Sequence, residues 1–386
     1  MQVMDAKRFS MSNTSGVAIT AGLAAAAGFT SPAQAQLNRV ELGFGGFLNE
    51  YFFITDIDEE DGSASDFNEV ATHFDGEIQF TGSTQLENGL EFGAQIELEF
   101  PTNGDQIDEA YLFINGGFGR LVLGGENTVM YQMGVGKWEP GVGVPINSGW
   151  VSDFSPAPAG QTIGFRSPSV STAIDITNDD NTISYYSPKF GGVQVGVSYV
   201  PNASFSGNAT NGAVDTAGLT YSNGLAGGVT YSGKFDGFGF RVSGGYATAQ
   251  AGDAIEDLGG DDIQQFMAGA VIDIGKFQIS GSYANELDGR INNTGTVSTE
   301  GQSFIVGAEY KLTDKLTVGG AYFQGAVEGD PTAGGDDEQQ TINVGLQYVI
   351  GPGVSFGSSL LYNEYEEENG GDSSAVAVAA GLSLSF

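Results

Sequence analysis

Apolar and polar residues alternate one by one along several segments of the chain. In the clearest segment, Leu90–Phe100, every even-numbered residue is apolar, and four of the five odd-numbered residues are Glu or Gln. Because successive side chains of a β-strand point to opposite faces, this pattern predicts a strand with one apolar and one polar face. Such a strand suits either a soluble sheet with a buried apolar face or a sheet that spans a membrane.

Sixteen segments of this kind are predicted, and the connections between them alternate in length. The predicted strands are residues 38–53, 71–86, 90–100, 108–115, 119–124, 181–188, 193–201, 227–235, 238–248, 262–273, 276–286, 302–312, 316–327, 339–350, 354–364 and 374–386. Every second connection is a tight turn such as Glu87–Gly89 or Asp236–Gly237, where glycine supplies the positive φ that hairpins need. The others are longer and polar, which is typical of a membrane β-barrel with turns at one rim and loops at the other.

The predicted strands have to close into a ring. An open sheet would leave two unpaired edges in lipid, so the first and last strands must pair. The last predicted strand alternates up to the final residue, Phe386. Residues 214–222 also look like a strand, but one more strand would break the even number that bacterial barrels have. We assign them to the loop before Gly227 or to an extension of that strand.

The composition favours the membrane barrel over a soluble protein. Charged residues make up 16% of the 386 residues, below the roughly 25% of a typical soluble domain. Beyond the first 35 residues, no segment approaches the roughly 20 apolar residues of a membrane helix. The chain has no Cys, which excludes disulfides and Cys-ligated metals. A net charge of −35 argues against nucleic acid as a partner, since phosphate binding needs a basic surface.

The N-terminus has the features of an export signal. Lys7 and Arg8 precede a stretch of small and apolar residues, 16–29, and the Ala33-Gln34-Ala35 sequence follows. A basic start, an apolar middle and an A-x-A site predict a signal peptide, residues 1–35, and a mature chain, residues 36–386. The alternative is an N-terminal helix. Export, the absence of Cys and the barrel pattern together indicate a Gram-negative outer membrane.

One stretch, residues 125–180, lacks the alternation, and we call it the long loop. It contains five of the 11 prolines and both tryptophans, Trp138 and Trp150. A long irregular segment in a compact domain is usually functional or disordered, and its many apolar residues argue against disorder. We expect it to pack against or into the strands. Glycines at strand positions are expected to relieve crowding where strands bend or where this loop packs.

Three segments carry a resemblance to a known family. They are residues 108–125, residues 181–199 with the turn Ser187-Pro188-Lys189-Phe190, and residues 382–386, which end in Phe386. In these segments the chain is similar to the general (non-specific) trimeric porins of Gram-negative outer membranes, particularly the alphaproteobacterial ones. The resemblance implies a 16-stranded antiparallel transmembrane β-barrel and a homotrimer in lipid and lipopolysaccharide. It also implies a third loop folded into the pore and a terminal Phe386 that the barrel-assembly machinery recognises.

The resemblance also implies acids on the constriction loop opposite bases on the barrel wall. Charged residues of the long loop are Glu126, Lys137, Glu139, Asp153 and Arg166. Candidate wall bases are Arg39, His73 and Arg120. Strand parity, however, puts many acids on the inner wall, namely Glu41, Asp75, Glu77, Glu91, Glu97, Glu99 and Glu109. This excess predicts a channel for ions and small hydrophilic solutes that prefers cations, although some of these acids could pair with wall bases or lie at the periplasmic rim.

Several alternatives stay open. The rings of Tyr131, Trp138 and Trp150 could stack on sugars in a substrate-selective channel, or they could anchor the loop to the wall, which we favour. A secreted adhesin or lectin is a further alternative. An enzyme is not expected, because the single His, His73, has no nucleophile motif such as G-x-S-x-G to accompany it. No cofactor is expected, but clustered carboxylates could bind Ca²⁺.

Overall fold

The computed structural model describes residues 40–59, 67–100, 106–158, 160–164, 166–203, 205, 212–291, 298–330 and 334–386. The predicted signal peptide, residues 1–35, and the predicted wall base Arg39 lie outside the described residues.

Within the described residues, sixteen antiparallel strands form one closed barrel. They are β1 (Glu41–Glu59), β2 (Val70–Gln85), β3 (Glu91–Phe100), β4 (Ile107–Gly116), β5 (Gly119–Gly125), β6 (Asn181–Tyr186), β7 (Val193–Ala203), β8 (Tyr221–Phe235), β9 (Phe238–Ala251), β10 (Ile263–Ile274), β11 (Phe277–Asp288), β12 (Ser298–Lys311), β13 (Leu316–Gly329), β14 (Asp337–Gly351), β15 (Val354–Glu366) and β16 (Asp372–Ser385). The predicted sixteen-stranded antiparallel barrel is therefore confirmed.

Short helices complete the described structure. They are α1 (Val129–Met133) and α2 (Val151–Phe154), both in the long loop, and α3 (Asp253–Glu256), which follows β9. None of the helices in the described ranges is both long enough and apolar enough to cross a membrane.

Every predicted strand occurs, but several are longer than the alternation suggests. β1 continues to Glu59 rather than ending at residue 53, and β12 begins at Ser298 rather than at residue 302. In these extensions the strands still pair with their neighbours, but the residues are polar, as in the pairing of Asp58 on β1 with Ser374 on β16. β8 begins at Tyr221 rather than at residue 227, so the end of the ambiguous segment 214–222 is an extension of that strand.

The first and last strands close the barrel. The N–H of Phe386 donates to the carbonyl of Gly46, and the N–H of Gly46 donates to the carbonyl of Phe386, both at 3.0 Å. The ring of Phe386 stacks on Phe44 with 5.7 Å between their centroids. Closure leaves no unpaired strand edge, and this is the condition that a sheet must meet in lipid.

The barrel is apolar outside and more polar inside. On β16, Val376 and Val378 point outward and are about half exposed, whereas Ala375, Ala377 and Ala379 point inward and are buried. Outward-facing large apolar residues recur all round the barrel. This polarity rules out the soluble sheet, which would bury its apolar face, and fits a barrel whose outer surface contacts lipid.

Gly125, the first residue of the predicted long loop, is the last residue of β5. The described residues between 126 and 180 lie inside the barrel and follow its wall in two passes. In the first pass, α1 packs against β7, β8 and β9, and α2 packs against β1 and β2. Between the two helices, the N–H of Val144 donates to Ser359 Oγ on β15 at 2.8 Å. The loop therefore travels along the inner wall from β7 round to β2.

The second pass returns along the same strands. The N–H of Thr162 donates to Asp337 on β14 at 2.6 Å, and Ser303 on β12 donates its hydroxyl to the carbonyl of Ser171 at 2.9 Å. Nearer the start of β6, the side chain of Gln265 on β10 donates to the carbonyl of Asp175 at 3.2 Å. All residues from 166 to 180 are buried.

Inward-facing glycines make this close packing possible. A Cβ atom on Gly269 would lie 1.7 Å from the carbonyl oxygen of Val135, and one on Gly345 would lie 2.1 Å from that of Val142. We call these glycines the glycine path, and its members are Gly196, Gly228, Gly245, Gly269, Gly307, Gly325, Gly345 and Gly357. The glycines leave room for backbone and side-chain atoms of the loop, and at Gly357 also for Tyr51 of β1, in agreement with the expectation from the sequence.

We expect Gly269→Ala to destabilise the folded barrel by about 1–3 kcal/mol, which is the usual effect of overpacking. The added methyl group would occupy the position of the Val135 carbonyl and push the loop off the wall. The midpoint of heat-induced unfolding in detergent, followed by far-ultraviolet circular dichroism, measures the effect. The matched control is Gly244→Ala on β9, where a Cβ meets nothing within 4 Å. Equal midpoints for the two variants would contradict the glycine path.

Candidate functional site

Carboxylates gather on the inner face of three neighbouring strands, β2, β3 and β4. We call this group the acidic wall, and its members are Asp75, Glu77, Glu97, Glu99 and Glu109. The strand register pairs Glu77 with Glu99 and Glu97 with Glu109, so all four side chains lie on one face. All members except Glu99 are at most 2% exposed. Strand parity predicted this inward orientation for each of them.

Neutral amides hydrogen-bond the acidic wall. Gln79 donates to Glu77 at 2.6 Å, and Asn127 of the long loop donates to Glu109 at 3.1 Å. Gln95 donates to Glu97 on β3. These amide donors carry no charge of their own, so the hydrogen bonds leave the formal charge of the wall unchanged. Because all members except Glu99 are buried, that charge reaches the lumen through its electric field rather than through direct contact with ions.

Some of these carboxylates lie close enough together to hold a cation. Among the described residues, three groups have ligand oxygens within 4.8 Å of one another: Glu77, Glu97 and Asp108; Asp108, Glu109 and Asp179; and Asp337, Glu367 and Glu368. Oxygen ligands suit Ca²⁺, so these groups are where such an ion could bind. Binding of Ca²⁺ stays a prediction.

The only histidine of the sequence joins the long loop to the wall. Nδ1 of His73 on β2 contacts Oδ2 of Asp153, and its ring lies against that of Trp150 with 3.8 Å between centroids. Trp150 is 2% exposed, and its ring also packs near that of Tyr51 on β1, with 6.1 Å between their centroids. Asp153 and His73, predicted on opposite sides of a gap, are therefore in contact, and Trp150 packs the end of the first pass against β1 and β2.

Tyr131, Lys137 and Arg166 form a second contact group within the long loop. The Lys137 ammonium lies 3.4 Å from the Tyr131 ring centroid, and the Arg166 guanidinium lies 4.4 Å from it. Arg166 also forms an ion pair with Asp179 at 3.4 Å. All of these side chains are buried. The two loop bases therefore join segments of the loop to each other, and cation–π contacts stabilise the arrangement.

Hydrogen bonds to Asp175 join the beginning and the end of the long loop. Its carboxylate accepts the N–H and the hydroxyl of Thr128, at 2.9 and 2.8 Å, and the N–H of Ile176 at 2.8 Å. Burial raises the pKa of Asp175 to about 6, although Arg166 and these hydrogen bonds act in the opposite direction. At the beginning of the loop, the carboxylate of Glu126 accepts a hydrogen bond from the side-chain amide of Gln132 at 2.6 Å. Sequence reasoning missed Asp175, because its role depends on where the loop returns.

A wall base that sequence reasoning missed contacts the loop. Nη1 of Arg241, on the inner face of β9, lies 3.1 Å from Oε1 of Glu139, and both side chains are partly exposed. Trp138, the residue before Glu139, is half-buried. The inward parity of β9 could have identified Arg241, but only the path of the loop brings Glu139 to it.

The remaining predicted wall residues lie towards the rim with the short turns. Arg120 on β5 lies over the ring of Phe113 at 4.3 Å. Glu91 on β3 accepts a hydrogen bond from Asn115 at 2.8 Å, and Glu41 is exposed at the start of β1. These residues are not in the acidic wall, and the expectation that some acids lie at this rim holds for Glu91 and Glu41.

Solved porins and other outer-membrane proteins share this fold. An anion-selective porin from Comamonas acidovorans is 17% identical with a TM-score of 0.56, and the alignment covers 91% of this chain and 100% of that chain. Salmonella typhi OmpF in complex with daunomycin is also 17% identical with a TM-score of 0.56, with coverages of 90% and 98%. OmpT of Vibrio cholerae in its trimer form is 15% identical with a TM-score of 0.54, with coverages of 90% and 99%.

Sequence comparison identifies the family. No match is found among curated protein sequences. A family model described as Gram-negative porin matches residues 22–369, which is most of the chain. The barrel, the inner loop and this match agree with the resemblance seen in the sequence, although none of them tests the alphaproteobacterial assignment. The chain belongs to the Gram-negative porin family of outer-membrane β-barrels.

Proposed function

We propose that this porin is a cation-selective diffusion channel for ions and small hydrophilic solutes. The observation that carries the proposal is the acidic wall, in which register brings Glu77, Glu97, Glu99 and Glu109 together on the inner face. A charged lumen with walls of low dielectric constant focuses the electric field on the aqueous path. Cations are then concentrated in the lumen and anions are depleted.

The bases of the long loop support this sign of selectivity. Lys137 and Arg166 are buried against Tyr131, and Arg166 is paired with Asp179. His73 contacts Asp153, so a positive charge on this histidine would be offset by that carboxylate. The charge of Arg166, and any charge on His73, is therefore balanced by a carboxylate of the loop itself. The anion selectivity of the Comamonas acidovorans porin does not transfer at 17% identity.

The contacts of the aromatic residues favour an open diffusion pore over a substrate-selective channel. Trp150 and Tyr131 are buried by contacts with the wall and the loop, which supports the anchoring role. A ring that stacks on a passing sugar needs a face open to water. Trp138 is half-buried, which leaves part of its ring accessible to a solute. This is the observation that supports the substrate-selective channel as a second candidate function.

The surroundings of His73 support a channel rather than an enzyme. Its Nδ1 is engaged by Asp153, and its Nε2 is buried with no hydrogen-bond partner in the described part of the chain. A hydrolase would need a nucleophile within hydrogen-bond reach of that base. The geometry instead suits a residue that packs the loop against β2.

We further propose a homotrimer in outer-membrane lipid and lipopolysaccharide, assembled through recognition of the terminal Phe386. The trimer form of the similar Vibrio cholerae protein supports the oligomer, and the exposed apolar outer surface supports the lipid contact. Phe386 is 51% exposed at the closing seam, where another protein could reach it. Light scattering in detergent should give the mass of three chains, and the mass of one chain would contradict the trimer.

Reconstitution in a planar bilayer tests the proposed function. We expect a current that rises linearly with salt concentration and a reversal potential of the sign that cation preference gives. A conductance that saturates or is blocked by a sugar would favour the substrate-selective channel. A reversal potential of the opposite sign would contradict cation selectivity, and the absence of any current would contradict the channel.

Neutralising the acidic wall should weaken cation preference. For Glu77→Gln with Glu97→Gln, we expect the cation-to-anion permeability ratio to fall roughly two- to five-fold. A unit charge about 8 Å away changes the energy of a passing ion by about 0.5 kcal/mol in water, with opposite sign for cations and anions. Salt at about 0.15 M screens this to about 0.2 kcal/mol per charge and ion, and two charges are removed. Reversal potentials measure the ratio. The matched control is Glu256→Gln, at an exposed residue of the short helix α3, which should leave the ratio unchanged. An unchanged ratio in the double variant would contradict the role of the wall.

A further inference from the structure

The ion pair between Arg241 and Glu139 joins the first pass of the long loop to the inner face of β9. Nη1 of Arg241 lies 3.1 Å from Oε1 of Glu139, with side chains 38% and 19% exposed. Exposed ion pairs are usually weak, because two mobile side chains must be held in one geometry. The importance of this pair therefore depends on how firmly its two partners are held.

The loop segment that carries Glu139 is held against three neighbouring strands of the wall, β9, β10 and β11. The N–H of Val135 donates to Ser243 Oγ on β9 at 2.9 Å, and the Val135 carbonyl lies against Gly269 on β10. Gly136 has a φ of +78°, and a Cβ there would lie 2.1 Å from the carbonyl of Gly281 on β11. The backbone around residue 136 therefore has little freedom to leave the wall.

The carboxylate of Glu139 is held within this fixed segment. Its Oε2 accepts the N–H of Gly136 at 2.8 Å and that of Trp138 at 3.3 Å, which leaves Oε1 directed to Arg241. The orientation of Glu139 is thus set by the loop before Arg241 contributes. A preorganised acceptor of this kind lowers the entropy lost when the pair forms.

Arg241 has N–H donors that its ion pair with Glu139 does not use. Its guanidinium has five N–H groups, and across the described ranges its side chain makes no hydrogen bond or ion pair except with Glu139. The side chain is partly exposed, so part of its positive charge faces water. Arg241 and Glu139 therefore contribute one positive and one negative charge at the same position of the channel.

We propose that Arg241 is a specificity-determining residue that sets how strongly the channel prefers cations. Paired with Glu139, it cancels the negative charge that the first pass of the loop would add to that of the acidic wall. The loop then shapes the aperture, and the carboxylates of β2–β4 determine the sign of selectivity. This inference rests on the proposed channel function.

Reversal potentials of single-charge variants test the inference. Arg241→Gln leaves Glu139 uncompensated, so the cation-to-anion permeability ratio should rise roughly two-fold, the effect of one unit charge at about 8 Å when salt at about 0.15 M screens it. Glu139→Gln leaves Arg241 uncompensated, so the ratio should fall by a similar factor. The double variant Arg241→Gln with Glu139→Gln, and the exchange Arg241→Glu with Glu139→Arg, should both return close to the wild-type ratio.

A different wall arginine supplies the control. Arg120 lies over Phe113 rather than on Glu139, so Arg120→Gln should change the ratio by the same factor whether Glu139 is present or replaced by Gln. If all Arg241 and Glu139 variants shift the ratio in one direction, or the double variant does not return, the pair acts only as a structural contact and the inference is wrong. A protein that conducts no current would instead overturn the channel itself, so the two failures are distinguishable.

Discussion

The structure depends on the direct contact between the backbone of the long loop and the inner wall of the barrel. The carbonyl of Val135 occupies the position that a side chain on Gly269 would need, and the carbonyl of Val142 does the same at Gly345. Hydroxyl groups of the wall satisfy loop N–H groups, as in the 2.9 Å bond from Val135 to Ser243. Because buried backbone groups must be paired, the glycines and these hydroxyls together allow a loop of 55 residues between β5 and β6 to lie inside a barrel.

This contact determines how charge is arranged around the lumen. A loop that follows the wall brings its acids to partners on the strands, so Glu139 meets Arg241 and Asp153 meets His73. Its two bases are used to hold Tyr131 inside the loop. The resemblance to general porins implies acids on the loop opposite bases on the wall. In this chain, β2–β4 carry carboxylates on their inner face, and the proposed preference for cations rests on them.

Local physical rules were enough to predict the barrel but not the contacts of its loop. Strand parity alone places Glu97 inward and Ile96 outward, and the membrane requires β1 to pair with β16, so these features follow from the order of residues. The contact between His73 and Asp153 joins residues that are 80 positions apart. Its formation depends on the course of an irregular backbone, which no periodic pattern describes. Arg241 was missed for the same reason, since its importance comes from Glu139.

Hydrogen exchange measured by mass spectrometry on the folded protein in detergent tests the central claim most directly. If the long loop is fixed to the wall, the amides of Val135, Val144 and Thr162, which donate to wall side chains, should exchange as slowly as those of the strands. The exposed turn at Glu87 and Asn88 supplies the reference for fast exchange. Exchange of the loop amides as fast as that of this turn would contradict a fixed loop and the constriction built on it.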